Sequence, residues 1–114
     1  SPTYREAFKS VQLAVRLKPD LVKAHDLLAD MYMRSSQYNF AVEECRTALR
    51  YSPSDETAMY HLIISLRHEG GHADELPPLV KRLAEMHQES MKAETGRKRF
   101  RLEEQQPPAA SANQ

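Results

Sequence analysis

VKAHDLLADMYMRSSQYNFAVEECRTALRYSP, residues 22–53, is the stretch that decides the fold of this chain. Apolar residues recur at helical spacing in its first half, and a second helical pattern follows the polar break at residues 34–37. The second pattern stops at Pro53, because proline cannot continue a helix. The apolar positions are Ala24, Leu27, Leu28, Met31 and Tyr32, then Tyr38, Ala41, Val42, Cys45, Ala48 and Leu49. The stretch therefore predicts two helices joined by a short turn.

The same residue types recur 34 positions away, which is the length of one such unit. The upstream copies of the second helix are Tyr4, Ala7, Val11, Ala14, Val15, Leu17 and Pro19. Downstream, Leu62, Leu66 and Gly70 repeat Leu28, Tyr32 and Ser36, and beyond Gly70 the repetition fails. This period divides the chain into the second helix of a truncated repeat (1–19), a complete repeat (20–53), a divergent last repeat with a capping helix (54–95) and a basic segment with a disordered tail (96–114).

This pattern resembles the tetratricopeptide repeat (TPR) family over residues 4–84. The family's small, aromatic, alanine and proline positions are occupied by Ala29, Tyr32, Tyr38, Ala41, Ala48 and Pro53. The chain departs from the family at His25, where tryptophan is usual, and at Ser36, where the turn usually has glycine. The resemblance implies an all-α, right-handed α–α superhelix (a TPR solenoid) with a long C-terminal capping helix. It also implies that the first helix of each repeat lines a concave groove that binds extended peptides.

The helix ends are predicted from capping residues and helix breakers. A lone second helix is expected over residues 3–17, and Asp20 and Asp55 are placed to cap the helices that follow them. The next helix is predicted from residue 56 to about 68, and Gly70-Gly71 ends it. The last is predicted from about residue 74 to about 94, with an apolar stripe of Leu76, Leu79, Val80, Leu83 and Met86, to which Met91 is an open addition. Its distal half around Met86 and Met91 is expected to project beyond the core. Because the pattern opens within a repeat, we expect the C-terminal part of a longer array, or alternatively a chain that begins with one capping helix.

Composition argues against several classes of partner. The net charge is zero and 40% of residues are apolar, which is ordinary for a soluble domain and disfavours a nucleic-acid partner. The basic residues 97–101 are expected to be a solvated helix end, with a nucleic-acid or membrane patch as the alternative. No apolar run approaches the ~20 residues that cross a bilayer, so membrane insertion is not expected. Bacterial cytoplasm and periplasm both remain open, because the single Cys45 is expected only to pack in the core.

One stretch matches an enzyme motif. Residues 68–72, HEGGH, fit the H-E-x-x-H pattern of zinc proteases, in which both histidines lie one turn apart on a continuous helix. Two successive glycines disfavour such a helix by roughly 1 kcal/mol each relative to alanine. A third ligand could come only from His61 or Asp74, and nothing in the sequence holds either in place. We therefore predict no catalysis, no metal and no cofactor.

A binding role remains. The resemblance places it on the face of each first helix that lines the concave groove, opposite the alanines and leucines that pack into the core. The predicted partner-binding residues are Lys23, Asp26, Asp30, Met33 and Arg34, with Thr57, Tyr60, Ile64, Arg67 and His68. Within this set Tyr60, Ile64 and Arg67 have the character of a peptide hot spot, unless the last helix covers them.

Some TPR proteins bind a C-terminal carboxylate through lysine, asparagine and arginine. Here Asp26 and Asp30 occupy those places, which predicts against an acidic C-terminus as the ligand. The leading hypothesis is a non-enzymatic protein-interaction module or scaffold that binds an extended peptide or a partner helix. The alternative is a homodimer formed through the uncovered first helix and the last helix, to be tested with Phe8→Glu.

Overall fold

A computed structural model describes residues 3–106, which form five α-helices and no strand. The helices are α1 (Tyr4–Leu17), α2 (Val22–Arg34), α3 (Tyr38–Tyr51), α4 (Glu56–Glu69) and α5 (Leu76–Gln105). The expected all-α class is confirmed for this part of the chain. The expectation of a disordered tail falls mostly on residues 107–114, which lie outside the described residues.

Side-chain caps begin two of the helices. Thr3 and Glu6 form a reciprocal capping box at α1, and Asp55 accepts a hydrogen bond from the Ala58 amide at α4 (3.3 Å). The prediction that Asp20 caps α2 is wrong. The Leu21 amide donates to the Lys18 carbonyl at 3.1 Å, so a turn occupies residues 18–21 and Leu21 takes the cap position without a side-chain hydrogen bond.

Two of the four turns between the helices contain residues with positive φ. Ser36 has a φ of 59° in the α2–α3 turn, where the family pattern has glycine. Gly70 and Gly71 have φ values of 81° and 78°, and α4 ends at Glu69, directly before the two glycines that were predicted to end it. Two prolines lie in the first turn of α5, where their missing N–H groups cost no intrahelical hydrogen bond.

The core lies where α2, α3, α4 and the first half of α5 meet. One cluster comprises Ala29, Val42, Cys45, Leu62 and Leu66, and a second comprises Met59, Ile63 and Met86. Two predicted core positions are wrong, because Leu27 and Val80 are 49% and 40% exposed. The distal half of α5 projects beyond the core at Met91, as expected, but not at Met86, which is 3% exposed. Leu27 and Val80 lie outside the faces that their helices bury, and Met91 lies past the point where α5 leaves the core.

The helices pack in sequence, each on the next, and α2 also packs on α4. α5 continues eleven residues beyond its predicted end near residue 94, through Gly96 and the basic segment. Nearly all side chains of residues 88–106 are exposed, and Arg97 pairs with Glu94 of the same helix at 2.7 Å. The described part of the chain is elongated, with extents of 69 × 41 × 22 Å. Across residues 3–106, no helix is both long and apolar enough to span a membrane.

Candidate functional site

A cleft of about 460 Å³ opens between α4 and α5. Its lining residues are Glu56, Thr57, Tyr60 and His61 from α4 and Leu83 and His87 from α5. The α4 residues share one side of the helix because they lie three and four positions apart, and Leu83 and His87 are likewise one turn apart on α5. The cleft therefore exists only because α5 packs against α4, which is the contact that buries Met86.

The cleft combines an anionic, an aromatic and an apolar group. The Glu56 carboxylate lies 3.3 Å from His87 Nδ1 across the cleft. The Tyr60 side chain is 50% exposed, and its ring centroid lies 6.2 Å from that of His61. His61 Nδ1 is buried and has no hydrogen-bond partner among the described residues, while Leu83 supplies an apolar wall. A ligand with a cationic group and an apolar stem could therefore place the cation at Glu56 and the stem against Leu83.

The predicted residues of α4 divide between the cleft and the surface beside it. Thr57 and Tyr60 line the cleft, whereas Ile64, Arg67 and His68 do not. The His68 ring lies flat against Tyr38 of α3, with centroids 4.4 Å apart and planes inclined by 4°. The last helix does not cover Tyr60; it forms the opposite wall and leaves half of the ring exposed.

The predicted residues of α2 form no cavity with the cleft. Asp30 accepts a hydrogen bond from Arg34 Nε at 2.8 Å, one turn along the same helix. Lys23 is exposed and Met33 is half-buried. An exposed pair such as Asp30 with Arg34 contributes little to stability. Pairing with Arg34 nevertheless offsets the negative charge of Asp30, which the sequence analysis counted as an unpaired charge in the groove.

Asp26 is held against Asp55, the cap of α4. Burial, then a hydrogen bond with Asp55, then the negative charge of Asp55 together raise the pKa of Asp26 from 3.8 to about 8. Asp26 Oδ1 and Asp55 Oδ2 are buried and accept no hydrogen bond from other described residues. A protonated Asp26 can donate this shared proton to the Asp55 carboxylate. At neutral pH Asp26 is therefore largely neutral and contributes little negative charge to the groove.

The histidines of residues 68–72 do not share a helix. α4 ends at Glu69, and His72 Nε2 instead lies 2.7 Å from a Glu69 carboxylate oxygen. Residues 3–106 contain no group of three His, Cys, Asp or Glu side chains placed to hold a metal ion. Cys45 is fully buried, and burial is the main cause that raises the pKa of its thiol to about 12. The thiol is therefore unreactive at neutral pH, as expected of a core cysteine.

Four cleft residues were not predicted as binding residues, namely Glu56, His61, Leu83 and His87. Thr57 and His61 are four positions apart, as are Leu83 and His87, so helical spacing alone could have paired them within each helix. Which face of α5 meets α4 depends on the packing of Met86 and could not be read from spacing. In comparisons with known proteins, no family model matches this chain and no curated protein is significantly similar to it.

Proposed function

We propose that this chain is a non-enzymatic protein-interaction module of the TPR type, which binds an extended peptide or partner helix along the groove formed by α2 and α4. The observation that carries the proposal is the half-exposed Tyr60 beside Glu56 in the cleft between α4 and α5. Tyrosine is one of the residue types in which binding hot spots are enriched, and here it lies in a cleft beside a carboxylate.

Two observations support a superhelical array. The sequence repeats with a period of 34 residues, and the helices pack in order with an added contact between the alternate helices α2 and α4. In a right-handed solenoid the first helices of successive repeats lie side by side, as α2 and α4 do. In the proposed module α5 is the capping helix.

The charge of the central helices favours a basic partner segment. Residues 20–75 contain ten acidic and five basic side chains, although the whole chain is neutral. Within the cleft, Glu56 can accept hydrogen bonds from a guanidinium or ammonium group, and the Tyr60 ring can face the same cation. The proposed ligand is therefore an extended segment with an arginine or lysine next to an apolar residue. A peptide with an acidic C-terminus does not fit this surface.

A random dodecapeptide phage library selected on the immobilised chain tests this function. We expect the enriched peptides to contain arginine or lysine, and their affinities to be measured by isothermal titration calorimetry with synthetic copies. Tyr60→Ala is expected to weaken binding about tenfold or more, because truncating a central aromatic anchor commonly costs over 1 kcal/mol. Glu56→Gln is expected to weaken the same peptides and to reduce the salt dependence of binding.

Phe40→Ala is the matched control, because Phe40 is 51% exposed on α3 and lies outside the cleft. It should leave the affinities unchanged. The proposal fails if no peptide is enriched, or if Tyr60→Ala and Phe40→Ala bind the selected peptides equally well. Enrichment of peptides with acidic C-termini would contradict the basic partner class while leaving an interaction role in place.

Self-association is the second candidate, and exposed apolar residues on α1 favour it. Leu13 and Leu17 are 49% and 76% exposed. Charge disfavours the particular pairing of α1 with the end of α5. α1 carries three basic residues against one acidic residue, and residues 97–101 contain four basic residues.

A further inference from the structure

The cleft between α4 and α5 has the size of a site for one side chain or one small molecule. Its volume of about 460 Å³ lies in the lower part of the roughly 300–1,000 Å³ range of such sites. Among its six lining residues, Glu56 carries a carboxylate, and none is a lysine or an arginine. The cleft is therefore suited to a cationic group and not to an anionic one.

The Glu56 carboxylate has room for a donor with two prongs. Its side chain is 33% exposed, so a ligand in the cleft can reach it. His87 Nδ1 lies 3.3 Å from one of its oxygens, Oε2. The two oxygens of a carboxylate together offer about four acceptor positions, so one contact leaves others open. A guanidinium group presents two parallel N–H groups to a carboxylate, whereas an ammonium group acts as a point charge.

Tyr60 and Leu83 favour the same ligand group. The Tyr60 side chain is 50% exposed at the cleft. A planar guanidinium group stacks on aromatic rings and is more weakly hydrated than an ammonium group, so it loses less free energy when it leaves water for such a site. Leu83 is half-buried in the α5 wall, where the methylene stem of an arginine can pack against it.

We infer that this cleft is a pocket for a single arginine side chain of the partner segment, and that it binds arginine in preference to lysine. The guanidinium group pairs with Glu56 beside the Tyr60 ring, and the stem lies against Leu83. This inference rests on the proposed function, because it names the partner residue that the groove takes at this point.

The pocket favours an arginine within a polypeptide over the free amino acid. Free arginine also carries an α-carboxylate, and no lysine or arginine lines the cleft to receive it. Glu56 would repel that carboxylate. An internal arginine of a peptide has uncharged amides in its place, so only its side chain contributes charge.

Four small probes test the pocket by nuclear magnetic resonance titration of the full chain. They are N-acetyl-arginine N-methylamide, the corresponding lysine and citrulline compounds, and free arginine. We expect the arginine compound to shift the signals of Thr57, Tyr60 and Leu83 and to bind about tenfold more tightly than the lysine and citrulline compounds, as for one charge-assisted hydrogen bond. Free arginine should bind more weakly than the blocked compound.

Glu56→Gln and Glu43→Gln form a matched pair of variants. The first removes the carboxylate of the pocket, and the second removes an exposed carboxylate of α3 that lies outside the cleft. Glu56→Gln should lose the preference for the arginine compound over citrulline, and Glu43→Gln should keep it. Equal binding of the arginine and lysine compounds by the parent chain, or an unchanged preference in Glu56→Gln, would overturn the inference.

Failure of this inference is distinguishable from failure of the proposed function. If peptides selected from the library bind through Tyr60 but the parent chain binds the arginine and lysine compounds equally, the interaction role stands and the arginine pocket is wrong. If the arginine compound binds preferentially in the cleft while no peptide is enriched, the preference of the pocket is supported and the proposal of a peptide groove is wrong.

Discussion

At the scale of single residues, Ser36 adopts a backbone conformation that is unfavourable for any residue with a side chain. Its φ of 59° lies in the left-handed region, which costs a residue with a Cβ atom roughly 1 kcal/mol. We predict that Ser36→Gly stabilises the chain by about 0.5–1 kcal/mol, measured by urea unfolding. Glycine's greater freedom in the unfolded chain offsets part of the gain.

Ser35 is the control for this substitution, because it is the preceding residue with ordinary backbone. Its φ is −96°, and its hydroxyl donates to the Tyr32 carbonyl at 3.1 Å. Ser35→Gly should therefore destabilise the chain. If both glycine variants shift the urea midpoint in the same direction, strain at Ser36 is not the cause.

The raised pKa of Asp26 beside Asp55 should make the free energy of unfolding depend on pH. The pKa of Asp26 is about 8 in the folded chain and near 3.8 when unfolded, so the folded state binds this proton more tightly. The resulting contribution is fully present below about pH 4 and is lost as pH rises through about 8. We expect the melting temperature of the parent to fall between pH 5 and pH 8, and that of Asp26→Asn to fall much less.

Asp30→Asn tests whether this slope belongs to Asp26. Asp30 lies one turn further along α2 and pairs with the exposed Arg34. Its substitution should change stability little, because exposed ion pairs are weak, and should keep the parent's pH dependence. A pH profile of Asp26→Asn that runs parallel to the parent would contradict the shared proton.

At the scale of elements, α5 is one continuous helix with two different environments. Its first three turns pack on α4 through Leu76, Leu79, Leu83 and Met86. The rest is exposed and depends on its own helix propensity and on ion pairs such as Arg97 with Glu94. Gly96 costs about 1 kcal/mol relative to alanine, and its flanking lysine, glutamate, alanine and arginine residues favour the helix. For this reason the helix continues through Gly96, past its predicted end near residue 94.

Two methionines on α5 test whether only its first three turns pack against the core. Met86 is 3% exposed in the cluster with Met59 and Ile63, and Met91 is 55% exposed. We predict that Met86→Ala destabilises the chain by about 2–5 kcal/mol, as expected for a core cavity. Met91→Ala should change stability by no more than about 0.5 kcal/mol. Chemical denaturation followed by circular dichroism measures both, and equal losses would show that the distal helix packs against the core.

At the scale of the whole molecule, the projecting helix makes the chain extended. The radius of gyration is 20.1 Å, whereas a compact domain of this length has about 13 Å. Such a shape leaves both α1 and the end of α5 accessible, and this is the physical reason to consider self-association.

Light scattering separates a monomeric interaction module from a dimer. We expect a mass near 13.1 kDa for the parent chain, and the same mass for Leu17→Glu. Leu17 is a better probe than Phe8, because the Phe8 ring packs edge-on against Tyr32 with centroids 5.3 Å apart and its substitution would also detach α1. A parent mass of about 26 kDa that returns to the monomer in Leu17→Glu would instead support the dimer.

Helix positions and most of the core were predictable from this sequence, because both depend on neighbours within about two turns. α4 ends one residue beyond the prediction, and its apolar stripe is buried as expected. The errors at Leu27 and Val80 arose because spacing identifies an apolar face but not its width. Within the candidate site, Thr57 and Tyr60 were predicted from the resemblance. The α5 wall of the cleft, formed by Leu83 and His87, was not predicted.

The sequence by itself determined that this chain forms amphipathic helices with a 34-residue period, and where four of the five end to within a residue or two. Only the tertiary structure decided what those helices bring together. Glu56 meets His87 from 31 positions away, and His25 meets Glu44 from 19 positions away. Asp26 likewise meets Asp55 across two different helices. Helical periodicity acts over a few residues, whereas these contacts depend on how whole helix faces pack, which no local pattern specifies.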